Sequence, residues 1–134
     1  LSTTLEADEI LTEIQVPKAP VGSGAAFVEI SRRHGDFALA GVAAQLTIDG
    51  ARITEVQLAA CGVGPKPIRL SNAEDVIRGN EENDDILSVA ATAAASEVDP
   101  DGDVHATADY RRKLAGVTMT RAVRKAAKIA RGRI

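Results

Sequence analysis

The chain has 134 residues, a length that suits one domain around one core, and its 45% apolar and 26% charged content is ordinary for a globular protein. The single cysteine, Cys61, excludes an internal disulfide framework and a multi-cysteine metal site. Phe27, Phe37 and Tyr110 are the only aromatic residues, which leaves little surface for stacking single-stranded bases.

The net charge of −3 hides a steep asymmetry. Residues 1–73 sum to −2, residues 74–108 to −9 and residues 109–134 to +8. A basic tail can signal nucleic acid, but here it falls on an amphipathic helix with no glycine-rich or aromatic recognition element beside it. The expectation is a solvated helix face paired with the acidic segment or with another subunit. No charged-then-apolar leader and no apolar run of spanning length occurs, so the chain reads as cytosolic. It begins at Leu1, which is compatible with a fragment of something longer.

In chain order, Glu9 to Val16 alternates enough for a strand, with Ile10, Ile14 and Val16 on one parity, and Pro17 to Gly24 closes it. Ala25 to Ser31 reads as a second strand. Residues 37–48 and 52–62 read as an antiparallel pair, because Asp49-Gly50 between two apolar runs is a strong hairpin signal whose residues tolerate positive φ. Cys61 falls within the apolar run Val56 to Val63 and is expected to be a small core residue.

Gly62 to Pro67 is a loop, after which the period changes. Ser71 is the expected N-cap of a short helix over 72–78, with Glu74 completing a capping box and Gly79 as its stop. Asp84 or Asp85 starts an alanine-rich helix through about Ser96. Thr107 caps a long helix from Ala108 to Ala130, with Met119, Ala122, Val123, Ala126, Ile129 and Ala130 on one face. The pattern predicts an α+β fold: an antiparallel sheet of three to four strands packed against about three helices. Residues 1–20 form a lead-in strand and linker, and residues 21–134 form the domain.

Catalytic chemistry is sparse. His34 and His105 stand 71 positions apart, in no zinc-binding spacing, and no G-x-S-x-G elbow occurs. The acidic residues of 74–103 are better explained as caps and solvated loops than as an acid/base pair. The glycine loops Val21 to Gly24 and Gly62 to Pro67 lack a full phosphate-cradling pattern and read as turns. The one dense polar constellation is Ser31-Arg32-Arg33-His34-Gly35-Asp36. Arg binds phosphate or carboxylate bidentately, and Asp can lock one Arg in a fork-type pair, so this loop is either partner-facing or a solvated turn.

Here the sequence becomes recognisable. The run from Ala26 through Ser31-Arg32-Arg33-His34-Gly35-Asp36 to Val42 resembles the start of the C-terminal domain in flavoprotein subunits of the carbon monoxide dehydrogenase and xanthine dehydrogenase family. Gly62-Val63-Gly64-Pro65-Lys66-Pro67-Ile68-Arg69 with Ala73-Glu74 is similar to a second block of that family. Ala108 to Val117, carrying Tyr110-Arg111-Arg112, resembles a third. Leu5 to Pro17 looks like the stretch leading into the domain.

The resemblance implies an α+β domain of an antiparallel sheet and three helices. Family members are molybdenum hydroxylases, with molybdopterin in a large subunit, iron–sulfur clusters in a small subunit and FAD in the medium subunit. The FAD is gripped chiefly by an N-terminal domain that this chain does not contain. Ser31, Arg32, Arg33, His34, Gly35 and Asp36 then correspond to a loop peripheral to the flavin, where fixed charges tune the cofactor without doing proton chemistry. Tyr110, Arg111 and Arg112 are expected to fix the final helix or dock a neighbouring subunit. No residue is assigned a catalytic or metal-binding role. The isolated chain is expected to be inactive and to bind FAD weakly or not at all, since one loop buries too little of a dinucleotide. The alternative is a stand-alone interaction module, its acidic middle and basic final helix mediating assembly.

Overall fold

The computed structural model describes residues 3–132; residues 1–2 and 133–134, including Arg133 of the basic tail, lie outside it. Four strands, β1 (Ser23–Ser31), β2 (Ala38–Asp49), β3 (Arg52–Cys61) and β4 (Ile68–Arg69), are followed by α1 (Ser71–Ile77), α2 (Asp84–Glu97) and α3 (Ala108–Ala130). The strands form one antiparallel sheet in the order β1-β2-β3-β4, as successive hairpin connections dictate. The α+β expectation holds.

Strand parity decides which side chains meet the helices. Val42, Ala44 and Leu46 of β2 and Val56, Leu58 and Ala60 of β3 point inward and are buried. Against them lie Ala115, Met119, Ala122, Val123 and Ala126 of α3, whose apolar stripe follows the helical period. Because most of these side chains are small, backbones approach closely. A Cβ on Gly24 of β1 would lie 2.1 Å from the Ala126 carbonyl oxygen, and one on Gly116 would lie 2.8 Å from that of Ala91 in α2. Glycine at these points lets α3 sit tightly between sheet and α2.

The β2–β3 hairpin differs in detail from the expected Asp49-Gly50 turn. Asp49 pairs with Arg52, so the central residues are Gly50 and Ala51, and only Gly50, at φ +60°, is left-handed. The two-residue β4 was not separately anticipated. It pairs Arg69 with Ala59 and Ile68 with Ala60.

Three other expectations are corrected. Residues 9–16 form no strand, and Ile10, Ile14 and Val16 are 84%, 77% and 83% exposed. Alternation marks a chain suited to a sheet, but a strand requires a neighbour for its backbone groups. Cys61 is half-buried and not in the core. Leu58 and Ala60 face inward, so Cys61, one residue on, takes the opposite face.

The capping box at α1 does not form: Leu70 is the N-cap and makes no side-chain cap bond. Glu97, at the end of α2, caps α1 from outside, its carboxylate accepting the N–H groups of Asn72 at 3.0 Å and Ala73 at 3.1 Å. Helix α2 starts at Asp84, as expected, behind the N-cap Asn83, whose side chain accepts from the Ile86 N–H at 2.9 Å. Thr107 caps α3 as expected, accepting from the Tyr110 N–H at 3.2 Å.

Candidate functional site

Meander topology sends the β1–β2 and β3–β4 connections to the same end of the sheet, opposite the Gly50 hairpin. Three sequence blocks meet there: the Ser31–Asp36 loop, the Gly62–Pro67 loop, and the start of α3 with Tyr110, Arg111 and Arg112.

The Ser31–Asp36 loop is internally braced. A register shift between Ile30, which meets Ala40, and Ser31, which meets Ala38, leaves Leu39 without a partner at the root of the loop. The Ser31 hydroxyl donates to the Arg33 carbonyl at 2.8 Å, and the Asp36 N–H donates to the same oxygen at 3.1 Å. Gly35, at φ +83°, supplies the left-handed step that closes the turn. Arg32 meets Asp36 through a single Nη2–Oδ2 contact of 3.3 Å, which is not the bidentate fork expected. Arg33 and His34 extend into solvent beside Phe37, which is 96% exposed.

The roots of the two loops are joined by Arg111. Its Nη1 donates to the Leu39 carbonyl at 3.0 Å and to the Gly62 carbonyl at 3.2 Å. Its Nη2 contacts the Asp103 carboxylate at 2.7 Å. Asp103 also accepts the N–H groups of His105 at 2.8 Å and Ala106 at 2.9 Å. The His105 N–H, then that of Ala106, and after them the Arg111 charge hold the Asp103 carboxyl below the usual carboxylate range. Asp103 gave no signal of its own in the sequence, being one acid among ten in an acidic stretch.

Three further acids of the segment pair with arginines of α3 and its C-cap. Arg112 meets Asp99 at 2.9 Å, Arg131 meets Glu82 at 2.8 Å, and Arg124 meets Asp84. These pairs consume much of the arginine charge that a polyanion would need.

Arg32, Arg33, His34 and Gly35 all lie on an exposed turn. Both glycine loops are committed to packing: Gly24 against α3, and Gly62, at φ +73°, against the Ala38 carbonyl oxygen, to which a Cβ would come within 2.7 Å. Two grooves lie elsewhere. One, of about 540 Å³, is on the open face of the sheet near Phe27, Gln45 and Gln57; the other, of about 490 Å³, lies between α2 and α3. Among the described residues no group of three His, Cys, Asp or Glu is placed to hold a metal, and no helix is long and apolar enough to cross a membrane.

A sheet of this order with α3 across its inner face, and the polar blocks gathered at one end, is the architecture of a flavoprotein C-terminal domain. The family model for the CO dehydrogenase flavoprotein C-terminal domain matches residues 25–126, and the chain belongs to that family. The nicotine 6-hydroxylase medium subunit of Paenarthrobacter nicotinovorans is 38% identical over 112 residues, covering 84% of this chain and 39% of that protein. The 6-hydroxypseudooxynicotine dehydrogenase complex subunit alpha of the same organism is 36% identical over 119 residues, covering 88% of this chain and 40% of that protein. A carbon monoxide dehydrogenase structure from Hydrogenophaga pseudoflava superposes with a TM-score of 0.80 at 31% identity, covering 83% of this chain and 39% of that one. The chain thus spans about two-fifths of the length of these relatives. Family membership favours a flavoprotein-subunit domain over a stand-alone interaction module.

Proposed function

We propose that this chain is the C-terminal domain of the medium, FAD-binding subunit of a molybdopterin-dependent dehydrogenase, where it helps shape the flavin and electron-acceptor side and the packing of subunits. In this reading residues 21–134 are the domain and residues 1–20 the lead-in to it. Ser31, Arg32, Arg33, His34, Gly35 and Asp36 border the flavin from outside, setting a fixed cationic field near it. FAD itself is held by the remainder of the subunit, molybdopterin by a large partner subunit and iron–sulfur clusters by a small one, in the cytoplasm. Electron transfer belongs to those groups; this chain contributes position and charge.

The observation that carries the reading is the convergence of the three family-like blocks on one end of the sheet. The test is a pull-down with the large and small subunits, using the chain with and without the rest of its subunit, and reading flavin and molybdenum in the eluate. A flavin-containing complex recovered only when the rest of the subunit is present is the expected result. Flavin recovered with the chain alone, or no capture in either form, contradicts the proposal.

A further inference from the structure

Arg111 is the one buried cation among the described residues, 9% exposed, and the proposed function leaves its side chain without a task. Taking a guanidinium out of water is costly, and the cost is tolerated where several directed donors are needed at once. Two of Arg111's three acceptors lie at the roots of the two loops, and the third ties them to the start of α3. Leu39 is where β2 becomes buried after the Ser31–Asp36 loop, Gly62 opens the Gly62–Pro67 loop, and Asp103 anchors the turn before α3.

The fork is placed for these three groups even at the expense of its own Nε, which is buried with no hydrogen-bond partner. A lysine ammonium, a compact point charge on a flexible stem, cannot reproduce this planar arrangement of donors. The contact between the loop roots is close as well, since Gly62 abuts the Ala38 carbonyl.

We propose that Arg111 is a positioning residue: it fixes how the Ser31–Asp36 loop leaves the sheet relative to the Gly62–Pro67 loop. It thereby sets the placement of Arg32, Arg33 and His34 beside the flavin of the parent subunit. The second half of this inference rests on the flavin-bordering reading above; the clamp itself does not.

The test uses the complete FAD-loaded subunit, with Arg111→Lys, Asp103→Asn and a loop variant combining Arg33→Ala and His34→Ala. Asp103→Asn leaves both carbonyl bonds in place and serves if Arg111→Lys folds poorly. Amide hydrogen exchange and the flavin reduction potential are measured on each. Arg111→Lys is expected to speed exchange at residues 37–41 and 62–64 by about tenfold relative to residues 87–94 of α2, which lie away from the clamp. It is also expected to move the flavin potential in the same direction as the loop variant, with Asp103→Asn showing a smaller effect at the same places.

Unchanged exchange at the loop roots, or an equal rise throughout the domain, overturns the clamp. Loosened roots with a potential that moves in the loop variant but not in Arg111→Lys overturn the positioning role. A loop variant that leaves the potential unmoved overturns the flavin-bordering reading instead, while localised exchange still supports the clamp.

Discussion

The Glu74 carboxylate accepts the main-chain N–H of Leu58 at 2.8 Å, sixteen positions away in the chain. Strand β4 is only two residues long, so the ladder it offers β3 ends early, and the Glu74 side chain continues it by taking the next N–H. The same carboxylate meets Arg69 at 2.9 Å. Glu74→Ala would leave the buried Leu58 N–H unsatisfied, at a cost of about 2–3 kcal/mol. Thermal denaturation is expected to show a melting temperature about 8–15 °C lower, with Glu74→Gln losing clearly less because one acceptor remains. Equal losses in the two variants would mean that the hydrogen bond to Leu58 is not what matters.

Close approach of β1 to α3 makes Gly24 the least replaceable glycine of the domain. Its added Cβ would strike backbone atoms of Ala126 and Ala130, at 2.1 Å and 2.6 Å, which cannot rotate away. Gly24→Ala is expected to destabilise by about 3 kcal/mol, the upper end for overpacking. Gly50→Ala meets open space and strains only its left-handed φ, for about 1 kcal/mol. Urea titration ranks the two; a milder effect at Gly24 would contradict the packing described.

Asp103 gives the domain an acid-sensitive element. Its carboxyl is held below its ordinary value first by the His105 N–H, then by the Ala106 N–H and the Arg111 charge. A depressed carboxyl binds its proton less readily in the folded chain than in the unfolded one. Its stabilisation is therefore complete above the unfolded value, about 3.9, and is lost as pH falls through the lower folded value. Asp103→Asn is expected to lower the melting temperature at pH 7, with the gap from the parent chain narrowing below about pH 4. A gap that is constant with pH would show that the charge of Asp103 contributes nothing.

Cys61 sits beside Gly41 on the open face of the sheet, across from Glu29 on the same row of the ladder. Burial first, and then the Glu29 charge, push its thiol up, against a smaller opposing effect of the Gly41 N–H. Less thiolate is present near neutral pH, so alkylation by iodoacetamide at pH 8 should run about threefold or more slower than for a free cysteine. Glu29→Gln should recover part of the rate. A rate matching the free amino acid in the parent chain would refute this account of the thiol.

Much of the fold was legible because period and punctuation are local. The strands expected at residues 25–31, 37–48 and 52–62 and the helices at residues 72–78 and 108–130 lie within two residues of the observed boundaries. What escaped was set by distant partners. The Ser71-to-Glu74 spacing reads as a capping box, yet Glu74 turns to Leu58 and the cap comes from Glu97. Residues 9–16 alternate like a strand, but they pair with no strand of the described chain.

The Ser31–Asp36 loop stood out in the sequence by its charge density. The guanidinium that secures its root did not, because Arg111 finds Leu39 and Gly62 at separations of 72 and 49 residues. The acidic and basic segments did announce their pairing, since a run of −9 followed by +8 invites the ion pairs that form along α3.

On the proposal that residues 31–36 border the flavin of the parent subunit while the grip lies elsewhere, the decisive measurement is fluorescence titration of FAD with the isolated chain. No saturable quenching is expected at protein concentrations up to about 50 μM, because a single exposed loop covers too little of the dinucleotide. Stoichiometric binding with a dissociation constant below about 1 μM, equivalent to about 8 kcal/mol of binding free energy, would contradict it and place a complete flavin site within these residues.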